Sequence, residues 1–95
     1  MNLTGIGVGQ FFNKQFEDAA ANLLVSLQHL PNWAVTYRFL ASCYAHMGRL
    51  DQAGDIVRRL RILTPVVVPS VPPYRNPEHR ELFLSGLRLA MGEPG

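Results

Sequence analysis

The sequence predicts an all-α domain of two antiparallel helical hairpins, followed by a proline-bearing connector and one last helix. Three observations predict it. Apolar residues recur at the three- and four-residue spacing of a helix face, glycine and proline end these segments, and the chain repeats its own pattern after 34 residues. A chain of this length builds one small core, so we expect a single domain over residues 1–95.

The first repeat is predicted over about residues 1–33. Its second helix, over residues 16–30, ends before Pro31 and has helix-spaced apolar residues at Phe16, Ala19, Ala20, Leu23, Leu24, Leu27 and Leu30. Its first helix contains Gly5, Gly7 and Gly9, and glycine costs about 0.5 to 1 kcal/mol relative to alanine inside a helix. We therefore expect the first helix to need a neighbour.

The same glycines, in the stretch TGIGVGQ, raise the alternative of a phosphate-binding loop. A dinucleotide fingerprint needs G-x-G-x-x-G between a strand and a helix, and a P-loop ends in Gly-Lys-Ser or Gly-Lys-Thr. Here the third glycine comes one position early, too few residues precede it for a buried strand, and the lysine ending is absent. We instead interpret Gly7 as the small residue at which the two helices of a hairpin cross closely.

The second repeat is predicted over about residues 34–67. Its first helix, residues 34–47, stops at Gly48 and presents one apolar face: Tyr37, Leu40, Ala41 and Tyr44. Asp51 opens the second helix, Pro65 ends it, and its apolar face is Ala53, Ile56, Val57, Leu60 and Leu63.

The remainder is predicted to be an extended connector and a single helix. Residues 68–76 contain three of the chain's prolines, which exclude a helix interior: Pro69, Pro72 and Pro73. Asn76, Pro77 and Glu78 then read as an N-cap, the first helical position and an acidic first turn. We expect a helix over residues 77–91, with Phe83, Leu87, Ala90 and Met91 on one face, that caps the open end of the stack.

The 34-residue register has the spacing of a known repeat. The second copy reads Tyr37-x2-Leu40-Ala41-x2-Tyr44, then Gly48, Leu50, Ala53, Val57 and Pro65, and the first places Leu3, Ile6, Gly7, Gln10, Phe16, Ala19, Leu23 and Pro31 in the matching positions. Over residues 1–67 the chain thus resembles the tetratricopeptide repeat family as two degenerate copies. It departs from the pattern mostly in copy one, where Gln10 replaces an aromatic residue and Lys14 replaces the glycine of the turn.

The C-terminal part of the chain shows a second, more specific resemblance. The order is Gly48-Arg49-Leu50-Asp51-Gln52-Ala53, a Leu-Thr-Pro stop, the connector, Asn76-Pro77-Glu78-His79 and Ser85-Gly86-Leu87-Arg88. It resembles the C-terminal repeat region of bacterial multidomain regulators, notably those with an N-terminal class III adenylate cyclase domain. The resemblance implies a regulatory or assembly segment of a longer protein, since these residues contain no cyclase domain.

The composition of the chain disfavours several classes of protein. Hydrophobic residues make up 47% and charged residues 17%, which favours a packed core over disorder. The net charge of +2 is too small to indicate a nucleic-acid surface. A lone Cys43 favours a reducing, cytoplasmic setting, and no apolar run is long enough for a membrane span.

No residue pattern predicts catalysis, a cofactor or a metal site. Cys43 and His46 lie one turn apart, but zinc needs four ligands and no second pair accompanies them. We expect a half-buried thiol and a surface imidazole. Asp51 and Asp55 lie four residues apart on one helix, and Arg58 and Arg59 follow Asp55 at three and four residues, the spacing of solvated surface pairs. The charged set Arg58, Arg59 and Arg61 is interpreted as the charged face of an amphipathic helix.

The tetratricopeptide resemblance implies a concave groove for a protein or peptide segment. The groove positions of this chain are Thr4, Val8, Phe12, Arg38, Phe39, Ser42 and His46. Arg38 would supply charge, and Phe12 and Phe39 apolar contact. Some members of the family bind a peptide carboxylate with a lysine or arginine and asparagines at these positions, and of that set only Arg38 is present here.

The sequence thus predicts a non-catalytic interaction or assembly module. Three alternatives stay open: a groove that has no dedicated ligand or is filled by the same protein, a first helix that packs against a preceding helix of a longer protein or pairs with another copy in a homodimer, and a nucleotide- or nucleic-acid-binding fragment.

Overall fold

The structure, a computed structural model, describes residues 3–68 and 76–93. The predicted all-α class is confirmed, since helix is the only regular secondary structure in those ranges. The helices are α1 (Leu3–Phe12), α2 (Phe16–His29), α3 (Ala34–His46), α4 (Leu50–Leu63) and α5 (Pro77–Ala90). Most of the predicted connector, residues 69–75, lies outside the described residues.

Consecutive helices pack in pairs around a central α3. Helix α1 packs on α2 and α3 packs on α4, and α3 also contacts α1, α2 and α5. Short turns join the members of each pair, at residues 13–15 and 47–49. Because α3 has a neighbour on nearly every side, an unbroken run of it is buried, from Phe39 to Ala45.

The 34-residue register predicted from sequence recurs in the backbone. Helices α2 and α4 begin and end 34 residues apart. The turns before them match as well: Lys14 has φ 60° and Gly48 has φ 77°. The amide of Lys14 donates to the carbonyl of Phe11, and the amide of Gly48 donates to that of Ala45. The predicted stop at Gly48 is thus confirmed, and Lys14 adopts the same left-handed conformation at a steric cost.

An aromatic cluster forms the centre of the core. Phe11 is fully buried, and its ring meets those of Phe12, Phe16 and Phe39 edge-on at centroid distances of 5.3, 5.6 and 5.3 Å. Edge-to-face pairs at such distances are favourable beyond the area that they bury. The cluster joins α1, α2 and α3 into one core.

Helix α5 begins as the sequence predicts. Asn76 is its N-cap, and Asn76 Oδ1 accepts hydrogen bonds from the amides of Glu78 (2.9 Å) and His79 (3.4 Å). It packs on the last hairpin, chiefly on α3 and only slightly on α4. Gly86 lies where α5 meets α3, so the two backbones approach closely.

Candidate interaction groove

Three predicted groove residues follow one stripe of α3, and each binds main-chain carbonyls from the C-terminal part of the chain. Arg38 donates from Nε to the carbonyl of Val67 (3.0 Å) and from Nη2 to that of Val66 (2.8 Å). Ser42 Oγ donates to the carbonyl of Phe83 (3.1 Å). His46 Nε2 lies 2.6 Å from the carbonyl oxygen of Leu82, and must donate because a carbonyl only accepts. We call these residues the α3 stripe.

The stripe reaches the backbone of α5 because Gly86 leaves room. A Cβ atom at Gly86 would overlap Ser42 Oγ and lie 2.8 Å from His46 Nε2. Both Gly86 and Ser42 are buried, so neither side has space to move away. Glycine is therefore required for this contact.

Aromatic rings also line the contact between α3 and α5. The rings of Phe39 and Phe83 lie 4.6 Å apart between centroids. At the N-terminal end of α5, His79 stacks on Phe12 with centroids 4.3 Å apart and planes 15° apart. His46 stacks on Phe16 at 5.3 Å, so it is partly buried and not the surface imidazole predicted from sequence.

The two other predicted groove residues lie apart from the stripe. Thr4 is buried, and its hydroxyl bonds Ser26 Oγ of α2 and, at 3.0 Å, Thr36 Oγ1 of α3. It belongs to the contact between the first three helices. Val8 is half-buried against the core.

The groove is closed in this structure. Phe39 and Ser42 are 1% and 0% exposed, and α5 and Val67 cover the α3 stripe. This corresponds to the alternative of a groove filled by the same protein. An open cleft of about 550 Å³ remains beside Phe12, lined also by Lys14, Glu78, His79, Glu81, Leu82 and Ser85.

Sequence reasoning did not assign the α5 residues that occupy the groove: His79, Leu82, Phe83 and Gly86. One indication was present. Phe83 and Gly86 are one helical turn apart, and a glycine inside a helix pattern often marks a close backbone approach. Which helix approaches there is not encoded in that local pattern.

The one cysteine of the chain is an interior residue. Cys43 is fully buried, deeper than the half-buried thiol expected, and Sγ donates to the carbonyl of Phe16 at 3.0 Å. Burial raises its pKa to about 12, so the thiol stays neutral and unreactive at physiological pH. Within residues 3–68 and 76–93, no three His, Cys, Asp or Glu side chains are grouped as a metal site requires.

The exposed charges of α4 and of the turn before it have partners on the surface. Arg58 pairs with Asp55 one turn earlier, as predicted, and Arg49 Nη2 pairs with Glu17 Oε1 of α2 at 3.0 Å. The guanidinium of Arg59 lies over the ring of Tyr37, 5.7 Å from its centroid. Exposed pairs of this kind contribute about 0 to 1 kcal/mol each.

Comparisons with known protein families, curated proteins and solved structures find no match to this chain. Among the helices described, none has the length and apolar character needed to cross a membrane. The chain is therefore placed only in the all-α class by its fold, and its function must be argued from the groove.

Proposed function

We propose that this chain is a non-catalytic, tetratricopeptide-like module for protein interaction or assembly. One observation carries the proposal: the turns at Lys14 and Gly48 share left-handed backbone geometry and hydrogen bonding 34 residues apart. A repeated supersecondary unit of this length is typical of stacked helical pairs, which use extended surfaces to bind other proteins. The sequence resemblance extends the proposal to the C-terminal regulatory part of a bacterial signalling protein of the adenylate cyclase type.

The α3 stripe supports a binding role for the first helices of the pairs. Arg38, Ser42 and His46 are spaced at four residues, so they share one face, and all three donate hydrogen bonds to main-chain carbonyls. Donors aimed at backbone groups suit recognition of a peptide segment, because every peptide offers such carbonyls.

A display selection of helical peptides against the full chain would test this proposal. We expect enriched peptides whose affinity falls at least ten-fold with Arg38→Glu. The matched control is Arg61→Glu, which makes the same charge change on the exposed face of α4 and should leave binding unchanged. If no peptide is enriched against the folded chain, the proposal fails. Equal loss in both variants would remove Arg38 from the site.

Self-association through α1 is the second candidate, and the exposure of α1 favours it. Ile6 is 37% exposed, whereas Leu40, its counterpart in the second repeat, is 0% exposed. Gly9 is exposed, and its counterpart Cys43 is buried. The face by which α3 packs into the molecule is thus exposed at Ile6 and Gly9 of α1. Ile6→Glu should abolish a dimer seen by light scattering; a monomeric wild type would count against this candidate.

A further inference from the structure

We propose that one end of the molecule is a docking surface for an anionic lipid bilayer, on which the chain rests without crossing it. This end consists of residues 30–33 between α2 and α3, residues 59–63 at the end of α4, and Val66. We call it the arginine end. The proposal goes beyond the interaction module proposed above and does not rest on it.

The start of α3 joins these segments into one surface. Tyr37 Oη donates a hydrogen bond to the carbonyl of Pro31, and the guanidinium of Arg59 lies over the Tyr37 ring. Arg38 Nη2 donates to the carbonyl of Val66 at 2.8 Å. The turn after α2, the end of α4 and the segment after α4 therefore lie at the same end of the molecule.

Large apolar side chains are exposed at the arginine end. Ile62 is 84% exposed, the most of any large apolar side chain in the described residues. Leu30, Trp33 and Val66 are exposed there as well. A group of apolar side chains that stays exposed in the folded chain marks a surface that meets another apolar surface or a membrane.

Positively charged side chains accompany the most exposed of these residues. Arg59 and Arg61 are exposed and lie within three positions of Ile62 near the end of α4. The nearest acid of that helix, Asp55, is paired with Arg58. Asp55 therefore does not neutralise the arginines of this end.

The acidic side chains are gathered at the opposite end of the molecule. All seven acids of the chain lie within the described residues: Glu17, Asp18, Asp51, Asp55, Glu78, Glu81 and Glu93. All but Glu93 belong to the first two turns of α2, α4 and α5. The pair of Arg49 with Glu17 joins the starts of α4 and α2, and His79 of α5 stacks on Phe12 at the end of α1.

Glu93 follows α5, and the carbonyl of Ala90 at the end of α5 lies beside Gly54, in the second turn of α4. As far as the structure describes it, the arginine end thus has arginines and no carboxylate.

This combination suits the interfacial zone of an anionic bilayer. Tryptophan and aliphatic side chains are favourable at the level of the lipid headgroups, where arginines attract anionic lipids. Ile62 protrudes, and fluid lipid accepts a protruding side chain without a preformed pocket, whereas a protein partner must match its shape. A nucleic acid offers charge but no apolar surface for these side chains. The observations therefore favour a bilayer.

Trp33 gives the test a direct readout, because it is the only tryptophan of the chain. The full chain is titrated with vesicles of phosphatidylcholine and phosphatidylserine, and with vesicles of phosphatidylcholine alone. We expect the emission of Trp33 to shift to shorter wavelength with the anionic vesicles only, and brominated acyl chains in them to quench it. Sedimentation with the vesicles measures the bound fraction, which should fall as the salt concentration rises.

Two substitutions separate charge from insertion. Arg61→Gln should weaken vesicle binding about five-fold, the contribution of one basic residue near an anionic membrane surface. Ile62→Ser should weaken it about ten-fold, because it removes an apolar side chain that enters the bilayer. Arg49→Gln and Leu50→Ser are the matched controls: both residues are exposed at the opposite end, so vesicle binding should stay unchanged. Circular dichroism checks that all four variants are folded.

Failure of the wild-type chain to bind anionic vesicles at low salt would overturn the inference. Unchanged vesicle binding of Arg61→Gln and Ile62→Ser would overturn it too, as would equal losses in the two controls, since attraction would then involve the whole chain. An acidic peptide that binds the wild-type chain but neither Arg61→Gln nor Ile62→Ser, without any vesicle binding, would make a protein the partner of this end. The proposed function is tested separately, by the enrichment of displayed peptides.

Discussion

Gly7 of α1 lies directly against Leu23 of α2. A Cβ atom at Gly7 would be 2.7 Å from Leu23 Cγ and 2.9 Å from Leu23 Cδ2, closer than packed atoms approach. Leu23 is fully buried and cannot turn aside without disturbing the core. The close crossing predicted for Gly7 from its place in the repeat is confirmed.

Gly7→Ala should lower the free energy of unfolding by about 1 to 3 kcal/mol, because overpacking a filled core has that cost. Gly9→Ala is the control on the same helix: Gly9 is exposed, and its Cβ would meet nothing within 4 Å. It should raise the free energy of unfolding by about 0.5 to 1 kcal/mol through helix propensity. Urea denaturation measures both, and equal effects of the two substitutions would contradict the packing argument.

Lys14→Gly should stabilise the chain by up to about 1 kcal/mol. Lys14 has φ 60°, and a side chain in this region costs roughly 1 to 2 kcal/mol, part of which the added freedom of glycine in the unfolded state offsets. The reverse change 34 residues later, Gly48→Ala, should destabilise by about 1 kcal/mol at φ 77°. Thermal unfolding should show a higher Tm for Lys14→Gly and a lower Tm for Gly48→Ala. A shift of Tm in the same direction for both variants would contradict the prediction.

Thr4→Val should destabilise by about 1 to 3 kcal/mol, because it leaves the buried hydroxyls of Ser26 and Thr36 without their shared partner. A double-mutant cycle with Ser26→Ala isolates the interaction. We expect the double variant to lose less than the two single variants combined. Strict additivity would mean that the hydroxyls act independently.

Stability should fall at alkaline pH through Cys43. Its pKa is about 12 in the folded chain against 9.0 when unperturbed, so between these values the unfolded chain has lost a proton that the folded chain keeps. The free energy of unfolding then decreases as pH rises, by at most about 1.4 kcal/mol per pH unit. Burial also raises the pKa of Tyr44, in the same direction.

Urea denaturation at about pH 8 and about pH 10 measures this slope. Cys43→Ala should flatten it without abolishing it, since Tyr44 remains. Thiol labelling gives an independent readout: Cys43 should react only as fast as the domain opens, so the labelling rate rises with urea. Rapid labelling of the native chain would contradict its burial.

Local features were predictable because their causes lie within a few residues. Pro31 and Pro65 each follow the last residue of α2 and α4 by two positions, and Asn76 with Pro77 fixes the start of α5. These effects depend on side-chain and backbone groups three or four positions apart. The 34-residue register also predicted the roles of Gly7 and of the turn at Lys14, because each residue of the degenerate first copy could be aligned with its counterpart in the clearer second copy.

The groove was predictable in part. Helical spacing placed Arg38, Ser42 and His46 on one face, and they do act together. The tetratricopeptide resemblance placed Thr4 beside them, although its hydroxyl bonds residues of α2 and α3 in the interior. Spacing defines a face of one helix, but which neighbour covers that face depends on residues far away in the chain.

The sequence by itself determined the all-α class, the helix ends and the repeat, since hydrophobic spacing and backbone stops are local. Only the tertiary structure decided that α5 lies on α3 and closes the groove. That choice depends on Gly86 meeting Ser42, and Phe83 meeting Phe39, across more than 40 positions of the chain. Contacts at such separation depend on the shape and the hydrogen-bonding groups of two helices that meet in the folded chain, and the periodicity of the sequence does not encode them.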